Sequence, residues 1–227
     1  LYGGGQELWD ELSALYGLKG FICGNTGLQW GFWSNIEINS LEDIQGMKVR
    51  IPGLGGDVIK ELGGEPISLS GGEIYNALKD GSINITEWVG PWNDSMMKFN
   101  EVSKYIYVSG FHEPGSALAF VLNKEFYDSL SDNRKELIKT ACLAANNKSI
   151  AEFEANNSKH LGQYSDMTRP FPNDIINALR AASEKVLESL ATDGDDLTKR
   201  IYASFKAFRS QIHPWTEIAS KYIDNRM

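Results

Sequence analysis

Cysteine is scarce in this chain of 227 residues: Cys23 and Cys142 are the only two, and they form no Cys-x-x-Cys pair. The three histidines, His112, His160 and His213, are scattered. A zinc site gathers several such ligands at close spacing, so none is expected. So few cysteines suit an oxidising or a reducing compartment equally, and two buried, unpaired thiols are expected. Positive charge is also short. Lys and Arg number 22 against 30 Asp and Glu, a net charge of −8. That balance argues against a nucleic-acid partner or an anionic membrane surface, both of which attract clustered cations. It leaves a small anionic ligand open, because one buried Arg overrides the average. No run approaches the roughly 18 apolar residues of a membrane span. GxSxG, HExxH and GxxxxGKS are absent, so no familiar arrangement for nucleophilic, metalloprotease or phosphate-loop chemistry is present. "GGGQ" and "GLGGD" are glycine-rich but lack phosphate-loop spacing. There is no repeat, low-complexity tract or flexible linker.

What is there is an ordinary globular composition, 42% hydrophobic, 23% charged and 11% aromatic, long enough to bury a substantial core as one large or two small domains. The chain opens at Leu1 with no charged n-region or cleavage site, which points to a processed product or a missing N-terminus. Residues 6 to 16 place Leu8, Trp9, Leu12, Leu15 and Tyr16 at helical spacing before Gly17. Residues 20 to 36 read as two strands, the second holding Gln29 to Trp33, around a turn at Gly24-Asn25. "NSLEDIQG" is a short helix capped by Ser40, with Asp43 three residues on. Strands are expected at "MKVRIPG", "PISLS" and "INITEWV", with helices at "LGGDVIKELGG" and "GGEIYNALKDG" between them. This strand–helix alternation is the pattern of an α/β unit with parallel strands, whose ligands bind at the strands' carboxyl ends. Two more strands, "KYIYVSG" and "SALAFVLNK", follow. From residue 131 onward the pattern is helical: one long helix capped by Ser131 or Asp132, a second from "RPFPNDIINAL", and a third over 195 to 225 that Pro214 should kink or break. Residues 1–130 therefore form the α/β ligand-binding portion and 131–227 the long helices.

Four residues stand out. Glu87, in "NITEWVGPW", sits at a strand end beside Trp88 and Trp92. A carboxylate among aromatics is costly unless paired or facing a cation, although a solvated strand-end acid fits the local pattern as well. Arg50, in "KVRIPG", suits a structural ion pair or a bidentate carboxylate clamp. Gln29, in "TGLQWGFW", is an ordinary strand amide or a neutral oxygen ligand for a hard cation. Glu113, in "GFHEPG", is a second acid at a turn, and His112 beside it reads as exposed.

These motifs join up. "GNTGLQWGFW", the run from "INSLEDIQGMKVRIPGLGGD" through "GGEPISLSGGEIYNALKDGSINITEWVGPW", "VSKYIYVSGFHEPGSA" and "LNKEFYDSL" together resemble the DctP-like solute-binding proteins of TRAP transporters. The likeness is greatest to the branch that takes 2-oxoacids and related monocarboxylates such as pyruvate or lactate. It spans essentially the whole chain. The resemblance implies a periplasmic protein of α/β class, with two lobes that close on a ligand, joined by crossing strands and a long helix. It also implies an Arg at the position of Arg50 that pairs with the ligand carboxylate. A metal ion, sodium or in some members calcium, would bridge ligand and protein. By motif position Gln29, Glu87, the Trp88 carbonyl and Glu113 would line the metal, with Gln29, Arg50 and Trp88 on the ligand. The implied partners are a small organic acid, the TRAP membrane permease and, through exchange of residues 195–227, a second copy.

Three departures accompany the likeness. Asn84 stands where the family often has Asp, which should touch turn contacts more than binding. Phe32 stands where glycine is common, and its ring should narrow the cleft. A substantial N-terminal part, most of the first lobe, is absent, so a shortened chain is expected. The function expected is capture of a 2-oxo or 2-hydroxy monocarboxylate and delivery to a permease, without catalysis. The alternatives are a receptor for another organic acid, an α/β enzyme using Glu87 and Glu113 as acid and base, and a sensor module built on the same fold.

Overall fold

The computed structural model describes residues 3–224, so the last residue of the helix expected over 195–225 lies outside the described residues. The elements run α1 (Gly5–Ala14), β1 (Leu18–Asn25), β2 (Phe32–Ser34), β3 (Lys48–Arg50), α2 (Leu54–Glu61), β4 (Glu65–Ile67), α3 (Gly71–Asp80), β5 (Ile85–Thr86), α4 (Pro91–Met97), β6 (Tyr105–Val108), β7 (Ala117–Asn123), α5 (Lys124–Asp128), α6 (Asp132–Leu161), β8 (Thr168–Pro170), α7 (Asn173–Asp193) and α8 (Asp196–Asp224). Capping boxes begin the helical turn at Leu41 (Ser40 with Asp43) and α3 (Ser70 with Glu73), each satisfying orphan N–H groups. Gly81 closes α3 at φ 79°, a left-handed geometry that costs a glycine little.

The chain forms two compact units. One comprises Leu1–Phe21, Phe120–Glu136 and Leu187–Met227; the other comprises Ile22–Ala119 and Leu137–Val186. β1, β7, α6 and α7 each contribute residues to both. The change at residue 130 is one of element type, from sheet-rich to helical.

In the first unit, α1 packs on α8, and Arg200 pairs with Glu11, donating from Nη1 to Oε2 at 2.8 Å. An apolar cavity of about 350 Å³ is lined there by Leu8, Trp9, Leu12, Ile201, Phe205 and Phe208 among others. α8 runs unbroken through Pro214, so of the kink or break expected there the break does not occur. A proline inside a helix removes one N–H bond, and the helix continues past it on either side.

The second unit is built on a six-stranded sheet in the order β4-β3-β5-β2-β6-β8. β3 is parallel to both β4 and β5, as the alternation of strands and helices predicts, but β2 is antiparallel to β5 and β6. The sheet is therefore mixed rather than parallel, because β2 enters ahead of the first strand–helix crossover. Successive residues of β2 and β6 face opposite sides. Phe32 and Tyr107 join Val49, Ile59, Ile175 and Leu179 on one side, while Trp33 and Ile106 join Ile74, Leu78, Phe99 and Tyr164 on the other. Phe32 is fully buried, its ring 5.2 Å from Phe111 and 5.7 Å from Phe171. It is a core ring, not the cleft-narrowing one expected from its position in the motif. Asn84 accepts from the Lys48 N–H at 3.0 Å, at the start of β3. α4, α5 and β8 have no counterpart in the sequence reading, since "GPWNDSMM" carries too little periodicity to announce a helix and α5 and β8 are short.

Candidate functional site

The site residues named from sequence all belong to the second unit. The parallel pairing of β3 with β5 sets Arg50 opposite Thr86, and the Glu87 N–H then donates to the Arg50 carbonyl at 3.3 Å. Arg50 and Glu87 thus stand side by side at the carboxyl ends of adjacent parallel strands, the usual ligand position in such sheets. Their side chains pair directly: Arg50 Nη1 donates to Glu87 Oε1. Arg50 Nε donates to the Leu69 carbonyl at 3.2 Å, and the guanidinium lies 5.4 Å from the Trp88 ring centre. Glu87 is 5% exposed and Arg50 9%. The solvated strand-end reading of Glu87 is therefore set aside. A charge at this depth demands a partner, and Arg50 is that partner.

His112 Nε2 lies 3.4 Å from Glu87 Oε2 and the imidazole is 5% exposed, so the expectation of an exposed histidine is corrected. Neither ring nitrogen meets hydrogen-bond geometry with a protein group. The reversal is a backbone effect. Ser109 takes φ 98°, and the chain folds back, with the Phe111 N–H donating to the Ser109 carbonyl at 2.9 Å. A single sequence gives no sign of a left-handed serine.

Gln29 is not within a strand. It lies in the segment ahead of β2 and is buried. Its Nε2 donates to Thr26 Oγ1 and Ser116 Oγ, both at 2.9 Å, which fixes the amide orientation. Its Oε1 is buried with no hydrogen-bond partner. An unmatched buried carbonyl oxygen costs about 1–3 kcal/mol, so it is an atom that a cation would satisfy. Gly110 allows the approach of this segment to the one bearing Glu113. A Cβ there would lie 2.8 Å from the Gln29 carbonyl oxygen and 3.1 Å from that of Glu113. The Glu113 side chain itself is exposed. Trp88 is half-buried, its ring against Gly71, where a Cβ would come within 2.7 Å.

Among the described residues no cluster of three or more His, Cys, Asp or Glu could hold a metal. The donors present are a carboxylate, an amide oxygen and backbone carbonyls. That set fits a hard cation such as sodium or calcium rather than zinc.

Residues 2–193 match the family described as bacterial extracellular solute-binding protein, family 7 (DctP). The chain belongs to this family. A curated protein of Nostoc sp., a monocarboxylate 2-oxoacid-binding periplasmic protein, is 34% identical over 226 residues, 98% of this chain and 62% of the relative. The chain thus spans about three fifths of that relative's length. A TRAP periplasmic solute-binding protein from Colwellia psychrerythraea, solved with calcium and pyruvate, superposes with a TM-score of 0.93 at 36% identity, over 99% of this chain and 70% of that one. One from Pseudoalteromonas atlantica, solved with sodium and pyruvate, gives 0.92 at 34% identity, over 100% and 70%. The DctP fold expected from the sequence is thereby established.

Three residues escaped the sequence reading, Thr26, Ser116 and Asp94, and a fourth, His112, was misjudged. His112 lay beside a residue that was noted, in "GFHEPG". Thr26 and Ser116 reach Gln29 only through tertiary folding. Asp94 is fully buried and accepts from the Val89 and Gly90 N–H groups that follow Trp88.

Proposed function

We propose that this protein is an extracytoplasmic, periplasmic receptor that binds a small 2-oxo or 2-hydroxy monocarboxylate together with a sodium or calcium ion. It delivers the acid to the permease of a TRAP transporter and performs no catalysis. The observation that carries this reading is the buried Arg50–Glu87 pair at the strand ends, in a unit whose Gln29 Oε1 is left unmatched. The pyruvate bound with a cation in the Colwellia and Pseudoalteromonas proteins supports it.

The pair suggests an exchange of partners. The incoming carboxylate takes the Arg50 fork, for which guanidinium geometry is suited. Glu87, released from Arg50, faces the cation, alongside Gln29 Oε1 and the Trp88 carbonyl. Glu113 contributes its charge from the rim. Every buried charge then keeps an opposite neighbour, which the low-dielectric interior requires. Acid and cation therefore bind together, and neither binds well alone. Pairing of two copies through 195–227 is part of the same proposal, supported by the exposed Phe208, Ile212, Trp215 and Ile218 of α8.

Calorimetric titration tests the reading. Pyruvate, lactate and longer 2-oxoacids are added with sodium, with calcium and with neither, to this chain and to a fusion supplying the rest of the Nostoc relative's length. Cation-dependent binding is expected. Binding of pyruvate that is equally tight without any cation overturns the exchange, and binding of none of these acids by either protein overturns the substrate class.

A further inference from the structure

Asp94 lies on α4 and is fully buried. Among the described residues no Lys, Arg or His pairs with it. Its charge is instead spread over four N–H donors. Oδ2 accepts from Trp30 Nε1 at 2.7 Å and Trp33 Nε1 at 2.6 Å. Oδ1 accepts from the backbone N–H groups of Val89 at 3.1 Å and Gly90 at 2.9 Å. Only a carboxylate can accept at both ends; an amide would turn an N–H₂ group toward two donors.

The backbone donors matter because of what shares their peptide planes. The Val89 N–H and the Trp88 carbonyl belong to one planar trans unit, so the two point in opposite directions. With the N–H held on Asp94, the Trp88 carbonyl is aimed away from Asp94. A hydrogen bond to an anion also polarises that unit, making the carbonyl oxygen more negative. The Gly90 N–H shares its plane with the Val89 carbonyl, which accepts from the Trp30 N–H at 3.2 Å. That N–H in turn shares its plane with the Gln29 carbonyl. One buried carboxylate thus reaches, through two peptide units, both segments read above as the cation site.

We infer that Asp94 is a positioning residue for the cation: through the Val89 N–H it aims and polarises the Trp88 carbonyl, and through Gly90 and Trp30 it fixes the Gln29 segment. The inference rests on the reading of Gln29, Glu87 and Trp88 as cation-facing groups. An apolar residue would fill this aromatic pocket without the desolvation cost of a buried charge. The charge makes sense where its field has a target.

The test compares the wild type with Asp94→Asn and Tyr164→Phe. Tyr164 is the control. Its ring packs 5.5 and 5.4 Å from Trp30 and Trp33, and its buried hydroxyl has no hydrogen-bond partner. Calcium and sodium affinities are measured by calorimetry, pyruvate affinity at saturating cation, and thermal stability alongside. Carbonyl and amide NMR shifts of residues 29–30 and 88–90 report the geometry without any ligand. Asp94→Asn should weaken cation binding at least tenfold and pyruvate at saturating cation much less, and should move the Trp88 and Gln29 carbonyl resonances. Tyr164→Phe should leave the affinities and the carbonyl resonances unchanged. Cation affinity within twofold of wild type in Asp94→Asn overturns this inference alone. A wild type that binds no cation overturns the reading of the site, and the inference with it. Should Asp94→Asn fail to fold, the wild type still decides: rapid solvent exchange of the Val89 and Gly90 amides would show that the clamp does not exist, and slow exchange of both would show that it does.

Discussion

Arg50 and Glu87, 37 residues apart in sequence, form a buried ion pair at the ends of two adjacent parallel strands, and His112 closes on the other carboxylate oxygen. The sequence reading gave these two residues separate partners, a ligand carboxylate for Arg50 and a cation for Glu87. Their direct pairing makes them dependent on each other, and the consequences can be measured.

Removing one partner strands the other. Arg50→Ala should abolish carboxylate binding and also cost about 3–5 kcal/mol of stability, because an unpaired carboxylate remains buried. The double replacement Arg50→Met with Glu87→Leu should recover most of that loss while still binding no acid. Urea unfolding of the single and double variants checks this; a single variant as stable as wild type contradicts the buried pairing.

His112 carries two ring nitrogens without hydrogen bonds inside the protein. Replacing it with Phe removes those groups at similar volume, so stability should rise by about 1 kcal/mol while affinity for acid and cation falls. Denaturation midpoints and calorimetry, read together, decide it. A fall in both would mean that the imidazole serves packing.

Gly110 has no room for a side chain, since the nearest atoms to a Cβ are backbone carbonyls that cannot swing away. Gly110→Ala should cost about 1–3 kcal/mol and separate the Gln29 and Glu113 segments, lowering cation affinity. Wild-type stability and affinity in this variant would show that the two segments are free to part.

Burial pushes the Asp94 carboxyl up to about 6, against the pull of its hydrogen bonds from Trp33, Trp30, Val89 and Gly90. The folded state therefore holds this proton more tightly than the unfolded chain, where the value is 3.8. Stability from this group is full below about pH 4 and is lost as pH rises through about 6. The stability of wild type minus that of Asp94→Asn should fall by about 2 kcal/mol between pH 4 and pH 7. Chemical unfolding across that range reads the slope, and a flat difference would place the group at its ordinary value.

The two thiols should differ sharply in reactivity. Cys142 is buried, and desolvation together with its contact to Cys23 pushes it up to about 12, whereas Cys23 is only half-buried. Since the thiolate is the nucleophile, Cys142 should resist thiol reagents at pH 8 in the folded protein and react on unfolding. Peptide mapping after labelling distinguishes the two.

Much of this protein was legible in its residues. Apolar periodicity and a capping pair such as Ser40 with Asp43 marked most of the helices, because those signals act within a few residues. The motif order placed Arg50, Glu87, Gln29 and Glu113 within one family and one kind of site. Tertiary structure alone decided what these groups do to one another. The β3–β5 register set Arg50 on Glu87, the left-handed turn at Ser109 accompanies the burial of His112, and Asp94 drew two of its four donors, Trp30 and Trp33, from a segment 64 and 61 residues away. The Arg50–Glu87 and Trp–Asp94 contacts join distant parts of the chain, and a left-handed serine is a conformation that its own residue type does not announce, so local sequence carries no record of them. The polarity of β2 and the burial of Phe32 were hidden for the same reason: which face a strand residue takes is settled by pairing register, and register is a property of the assembled sheet.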